Sequence, residues 1–279
     1  MTIVVLGSGT MGAGIAEVAI IQGQHVVLTD PDPAARQRAY QRIQKSLQRG
    51  IEKGRLAEPL ATYISRLALA ESGPTQDVDW VIEAAPEQLA LKQRIFEDLD
   101  QRYGESVWLA SNTSSIAISR LQARAARFPE RIGGLHFFNP VPRMALVEII
   151  RGLDTSDAYL ASARELTRRL GKTGVVVPDR PGFLVNRVAR PYYLEALRMA
   201  DEGVATFAVV DDVMEGAGFP MGPFRVMDLV GIDVNLSVTK SVYEQTYWDE
   251  RYRPHPWQEQ LVERGTWGRK SGRGFYRYE

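Results

Sequence analysis

The sequence predicts an α/β domain built on a parallel sheet over residues 1–181, followed by an all-α domain over residues 182–279. Three observations carry that prediction. Short apolar, β-branched runs alternate with segments of helical period as far as Val175-Val176-Val177, the pattern of repeated βαβ units. The first of those runs ends in a glycine-rich turn that opens a helix. At Pro178-Asp179-Arg180-Pro181-Gly182 the composition shifts, and only helical patterns separated by Gly/Pro turns follow.

Thr2-Ile3-Val4-Val5-Leu6 reads as a strand buried on both faces. It ends at Gly7-Ser8-Gly9-Thr10-Met11-Gly12-Ala13-Gly14, which contains G-x-G-x-x-G. Met11, Ile15, Val18 and Ala19 then follow a helical period, with Gly23 as its stop, and His25-Val26-Val27-Leu28-Thr29 is a second strand leading into Asp30. Each part has a physical role in holding a dinucleotide. Gly7 allows the tight turn, Gly9 lets backbone approach a pyrophosphate, Gly12 lets helix and strand pack closely, and the helix N-terminus offers unpaired N–H groups to the anion. A lone glycine motif is weak, but this one has a strand before it, a helix after it and an acid at the right remove. Asp30 is placed to accept hydrogen bonds from both hydroxyls of an adenosine ribose. It is followed by Pro31-Asp32-Pro33 and not by a base, so NAD is expected in preference to NADP.

Asp32 and Pro33 form a good N-cap and first-turn pair. The helix they open carries Tyr40, Ile43, Leu47 and Ile51 on one stripe, and elsewhere Arg36, Arg38, Arg42, Lys45, Arg49, Lys53 and Arg55. Such a run is either a solvated face or a landing surface for a polyphosphate, and Ser46 and Lys53 share one side of it. Residues 79–84 and 107–110 read as strands, with a helix over 88–103 between them. In an open parallel sheet ligands bind beyond the carboxyl ends of the strands, where the glycine turn, Glu87 and residues 111–115 fall.

Residues 132–140 are extended and end in a turn, 145–150 form the next strand, and a helix over 157–170 precedes a closing strand at 175–177. His136 and Glu148 are polar residues inside apolar strands, which costs free energy unless they are hydrogen-bonded. A buried histidine needs a partner, and Glu148 is the candidate. In the second domain a long helix over 183–202, bent at Pro191 and stopped by Gly203, carries Asn186 one turn in. Shorter helices are expected over 208–215, 223–229, 233–247 and 258–264. The long helix is apolar on more than one face, so a homodimer is expected. The basic, glycine-rich tail over 268–276 is expected to fold back over the cofactor.

Composition narrows the function classes. The 279 residues carry 34 basic and 34 acidic side chains, a balance that gives no global argument for nucleic acid. The absence of cysteine excludes disulfides, thiolate nucleophiles and Cys-ligated zinc, and no metal site is expected. The first strand begins at the second residue and no apolar run approaches membrane-spanning length, so a cytoplasmic protein without leader or membrane contact is expected.

With those residues laid out, the chain resembles the L-3-hydroxyacyl-CoA dehydrogenase family, in its short bacterial 3-hydroxybutyryl-CoA dehydrogenase form. The resemblance spans the chain through the glycine turn, Ser111-Asn112-Thr113-Ser114-Ser115, His136-Phe137-Phe138-Asn139-Pro140, Pro181-Gly182-Phe183-Leu184-Val185-Asn186-Arg187, Pro220-Met221-Gly222-Pro223 and Gly274-Phe275-Tyr276. It implies a Rossmann-like NAD-binding domain, a helical substrate and dimerisation domain, and an NAD-dependent step of fatty-acid β-oxidation or its relatives. By that resemblance His136 matches the catalytic histidine and Glu148 its paired acid, while Ser114 and Asn186 match the residues that hold the substrate's reacting oxygens. Asp30, Glu87, Lys92, Ser114 and Lys270 match cofactor contacts, and Ser46 and Lys53 match contacts to coenzyme A.

The chemistry fits independently, since oxidising a secondary alcohol needs a base for the hydroxyl proton and a neutral imidazole suits that near neutral pH. A Ser-His-Glu hydrolase would lack the G-x-S-x-G elbow and leave the dinucleotide fingerprint without a use. Two other readings are a superfamily relative that oxidises a sugar acid such as L-gulonate and a non-catalytic, crystallin-like NAD-binding protein. The basic helix argues against the first, and the joint retention of His136, Glu148, Ser114 and Asn186 against the second.

Overall fold

β1 (Thr2–Leu6) lies inside the sheet because it is apolar on both faces, with Ile3, Val4 and Val5 fully buried. In the computed structural model, which describes residues 1–278, the chain forms two compact units, Met1–Asp179 and a second beginning at Arg180. The first unit is a single eight-stranded sheet flanked by helices, and the second is helical.

The chain runs from β1 through α1 (Thr10–Ile21) to β2 (His25–Thr29), then through α2 (Pro33–Glu52) and α3 (Leu60–Ile64) to β3 (Leu67–Ala70). It returns to the other side of β1 with β4 (Trp80–Glu83), followed by α4 (Leu89–Arg102), β5 (Trp108–Ser111), α5 (Ile118–Gln122) and β6 (Ile132–Phe137). The order β3-β2-β1-β4-β5-β6-β7-β8 therefore reverses direction between β1 and β4. That reversal opens the crevice at the carboxyl ends where dinucleotides bind in such sheets. α3 and β3 were not anticipated by pattern. β3 is a four-residue edge strand with only half-buried and exposed positions, too short to show a period.

β7 (Leu146–Arg151) pairs antiparallel with β6, and β8 (Thr173–Pro178), reached through α6 (Asp157–Arg169), runs parallel to β7. The sheet is thus mainly parallel with a reversal at one end. The reason is loop length: the connection from Phe137 to Leu146 carries no helix, and a parallel return needs a crossover of about a dozen residues or more. Trp80, Trp108 and Tyr159 form an edge-to-face aromatic cluster beneath this sheet.

α2 begins as expected, with the Asp32 carboxylate accepting from Ala34 N at 2.8 Å and Pro33 in the first turn. Its buried stripe is Ala39, Ile43, Leu47 and Gly50. Tyr40 and Ile51 flank that stripe half-buried.

In the second unit α7 (Val185–Asp201) starts two residues later than the apolar spacing suggested, because Gly182 and Phe183 both take left-handed backbone, φ 74° and φ 48°. Asn186 is consequently the second residue of the helix and not one turn in. α8 (Phe207–Gly216), α9 (Pro223–Val230), α10 (Ile232–Gln245) and α11 (Pro256–Glu263) follow, around a core that includes Leu197, Phe224 and Met227. The glycine-rich tail is anchored on Asp228. The buried Asp228 carboxylate accepts from Phe275 N, Tyr276 N and Tyr278 Oη at 3.0, 3.0 and 2.9 Å, which satisfies a charge that would otherwise be costly to bury.

Candidate active site

The antiparallel register sets His136 of β6 directly opposite Glu148 of β7. Their side chains meet at 2.6 Å, Nδ1 to Oε2, with the histidine 6% exposed and the glutamate fully buried. A carboxylate accepts only, so the pairing assigns the Nδ1 proton to the histidine and leaves Nε2 as the basic nitrogen. The Phe138 ring packs 4.5 Å from the imidazole and helps hold it in place.

Glu87 gathers the loop that follows β5. Its Oε1 accepts from Thr113 Oγ1 at 2.6 Å, from Ser114 N and Ser115 N at 3.0 Å each, and from Ser115 Oγ at 3.1 Å. Burial alone would push the Glu87 carboxyl up, but the Lys92 ammonium and those donors outweigh it and hold it below the usual range. Ser114 is fixed through its backbone by this turn. Asn112 extends the bracing, since its Oδ1 accepts from Phe137 N at 2.8 Å, the residue after the histidine.

Lys92, matched to a cofactor contact by the resemblance, is 1% exposed, and its ammonium is held by protein groups. It donates to Glu83 Oε1 at 2.6 Å and to Ala85 O at 3.2 Å, and it lies 3.4 Å from Glu87 Oε2. Lys92 therefore supports the crevice from beneath through its two acids. Glu83, fully buried at the end of β4, also accepts from Ala85 N and Ser111 Oγ at 2.6 Å each. Sequence reasoning missed Glu83, although a lone acid closing the run Trp80-Val81-Ile82 was a usable signal.

The crevice between β1 and β4 opens into a cleft of about 1040 Å³ bordered by the glycine turn, Thr10, Met11 and Asp30. Gly7 has φ 96°, and a Cβ there would come 2.7 Å from Ala84 O. One on Gly12 would come 1.8 Å from Gly7 O. These two glycines are required by the protein's own packing. Gly9 is different, because a Cβ on it would meet no protein atom within 4 Å. Its bareness serves space left for a ligand, at a helix start that has no side-chain cap. Asp30 is held rigidly, with Oδ2 accepting from Ser8 N at 2.9 Å and Oδ1 from Asp32 N at 3.0 Å. This donor set fits a dinucleotide diphosphate and a ribose.

A second cleft, of about 530 Å³, lies along α2 and is lined by Ser46 and Lys53 together with Lys45, Arg49, Arg143 and Lys172. Ser46 donates to Glu17 Oε1 at 2.5 Å. Burial pushes the Glu17 carboxyl up, against the lowering effect of that bond. Asn186 and Lys270 belong to the second unit, where Lys270 Nζ lies 2.6 Å from the Asp233 carboxylate. Among the described residues no cluster of three or more metal-ligating side chains occurs.

Comparison with known proteins matches two family models in tandem: the 3-hydroxyacyl-CoA dehydrogenase NAD-binding domain over residues 2–180 and the 3-hydroxyacyl-CoA dehydrogenase C-terminal domain over residues 182–278. The chain belongs to the 3-hydroxyacyl-CoA dehydrogenase family. It is 44% identical to the 3-hydroxyadipyl-CoA dehydrogenase of Escherichia coli K12 over 99% of this chain, but spans only 58% of that relative's length. It is 41% identical to a probable 3-hydroxybutyryl-CoA dehydrogenase of Bacillus subtilis, covering 99% of this chain and 97% of that one. Among solved structures, the (S)-3-hydroxybutyryl-CoA dehydrogenase of Ralstonia eutropha superposes with a TM-score of 0.94 at 41% identity, covering 100% of this chain and 99% of that one. As a member of the 3-hydroxyacyl-CoA dehydrogenase family the chain is an NAD-dependent oxidoreductase.

Proposed function

We propose that this chain oxidises L-3-hydroxyacyl-CoA, with 3-hydroxybutyryl-CoA as the first candidate, to the 3-ketoacyl-CoA, with His136 as general base and Glu148 as its partner. The observation that carries the reading is the buried His136–Glu148 pair on adjacent strands of the sheet that also forms the β1/β4 crevice, and we assign NAD to that crevice, the NAD cleft below. Bound NAD supplies the acceptor for the hydride that leaves carbon 3. His136 Nε2 takes the hydroxyl proton, and the Glu148 carboxylate stabilises the imidazolium that results. In the reverse direction the same ring delivers the proton. Burial of the pair strengthens their mutual attraction relative to water.

Ser114 and Asn186 keep the substrate-oxygen roles that the family resemblance assigns them, and Asp30 orients the adenosine ribose. The basic cleft along α2 receives the nucleotide end of coenzyme A, with Ser46 and Lys53 among its contacts. The charge of that cleft supports this assignment, since a polyanion needs several cations and Lys45, Arg49 and Lys53 share it. A homodimer through the helical unit is supported by large apolar side chains left exposed there, including Val188 at 66%, Val213 at 62% and Val209 at 51%. Among the described residues no helix is long and apolar enough to cross a membrane, and a cytoplasmic setting suits both substrates.

The decisive experiment follows NADH consumption with 3-ketoacyl-CoA substrates of graded chain length, including one ending in a carboxylate as the Escherichia coli relative's name suggests. Turnover of acetoacetyl-CoA is expected. No turnover with any 3-ketoacyl-CoA, at NADH concentrations shown to saturate binding, would overturn the reading.

A further inference from the structure

The two clefts of the first unit meet at one side chain. Arg42, exposed on α2, borders both the NAD cleft and the basic cleft, and among the described residues no other is common to the two linings. The neighbouring cations are private to one side: Arg38 and Arg94 border the NAD cleft, Lys45, Arg49 and Lys53 the basic one. Arg42 is also tethered. Its Nη1 donates to Thr10 Oγ1 at 3.1 Å, across 32 residues of sequence. That bond holds the guanidinium at the first residue of α1, where the helix already directs positive partial charge toward an incoming anion.

A guanidinium is a planar fork with five N–H donors and a charge that is never titrated away. With one donor on Thr10, the others remain for phosphate oxygens on two sides, which a lysine, as a compact point charge, could not serve equally. Both ligands of this enzyme are polyanions. NAD carries a diphosphate, and an acyl-CoA carries a diphosphate and a ribose phosphate. We propose that Arg42 is a shared phosphate-binding residue, serving NAD in one cleft and the nucleotide end of the acyl-CoA in the other. The second half of this assignment rests on the acyl-CoA reading of the basic cleft given above.

Sharing has a signature that private contacts lack. Loss of Arg42 weakens two chemically different ligands, measured separately, whereas loss of Lys53 weakens one. The test titrates the full-length protein with NADH by fluorescence and with acetoacetyl-CoA by calorimetry, each alone so that no turnover occurs. Native protein, Arg42→Gln and Lys53→Ala are compared, with the N-acetylcysteamine thioester of acetoacetate as the probe lacking a nucleotide. Arg42→Gln is expected to raise Kd for both NADH and acetoacetyl-CoA by about two- to tenfold, the range between an exposed ion pair and a charged hydrogen bond. Binding of the truncated thioester should not change.

If NADH binding is unchanged in Arg42→Gln, the proposal is overturned. If acetoacetyl-CoA binding is unchanged there but weakened in Lys53→Ala, sharing is wrong and the acyl-CoA reading of the cleft stands. If neither variant alters acetoacetyl-CoA binding, that reading falls and takes the proposal with it.

Discussion

Replacing Glu148 by Gln separates a catalytic pair from a structural one. The substitution keeps the size and shape of a fully buried side chain and removes its charge 2.6 Å from His136 Nδ1. The amide oxygen can still accept the Nδ1 proton, so the tautomer that leaves Nε2 basic survives. What is lost is the stabilisation of the imidazolium formed as Nε2 takes the substrate proton. A hydrogen bond to a charged group contributes about 1.5–3 kcal/mol. If that stabilisation is expressed in the transition state, kcat falls by roughly 10- to 150-fold. NADH binding should be unchanged, because Glu148 lies within β7 and the NAD cleft is built on β1, β2 and β4. Thermal stability should fall little, since a neutral amide is less costly to bury than a carboxylate. The assay is NADH formation at saturating 3-hydroxybutyryl-CoA and NAD, with a fluorescence titration of NADH alongside. An unchanged kcat in a folded variant would refute the reasoning and reduce the pair to a satisfied core contact.

Asp30→Ala should weaken NADH binding by about 1.5–3 kcal/mol, the scale of a charged hydrogen bond, and narrow the gap to NADPH. A native protein that uses NADPH as readily as NADH would show that Asp30 does not select the cofactor. Lys53→Ala should raise KM for acetoacetyl-CoA and lose its effect with a thioester lacking the nucleotide, and equal effects on both would return α2 to a solvated face. Glu87→Gln should lower Tm near neutral pH. The native Glu87 carboxyl is held below its ordinary range, so its contribution is present above that range and is lost as pH falls through the lowered value. The Tm difference between native and Glu87→Gln should therefore shrink in acid, and a difference that grows on acidification would contradict the assignment.

The sequence by itself determined the sheet-then-helix plan, the glycine turn and the candidacy of His136. These depend on local spacing: the alternation of apolar runs, the positions of Gly7, Gly9 and Gly12, and a polar residue inside an apolar strand. Glu148 was legible as a partner because two costly burials close in sequence are cheaper if they meet. That they do meet was decided by the antiparallel turn between β6 and β7, which sets the two residues in register. Three other features needed the tertiary structure. The buried ion pair of Lys92 with Glu83 joins a helix to a strand end, which no local spacing encodes. α7 begins at Val185 because the backbone turns left-handed at Gly182 and Phe183, which apolar spacing does not encode. Arg42 was one cation among seven along a basic helix. Only the packing of α2 against the start of α1 puts it at the border of two clefts, because which face of an exposed helix meets which ligand depends on its neighbours in space.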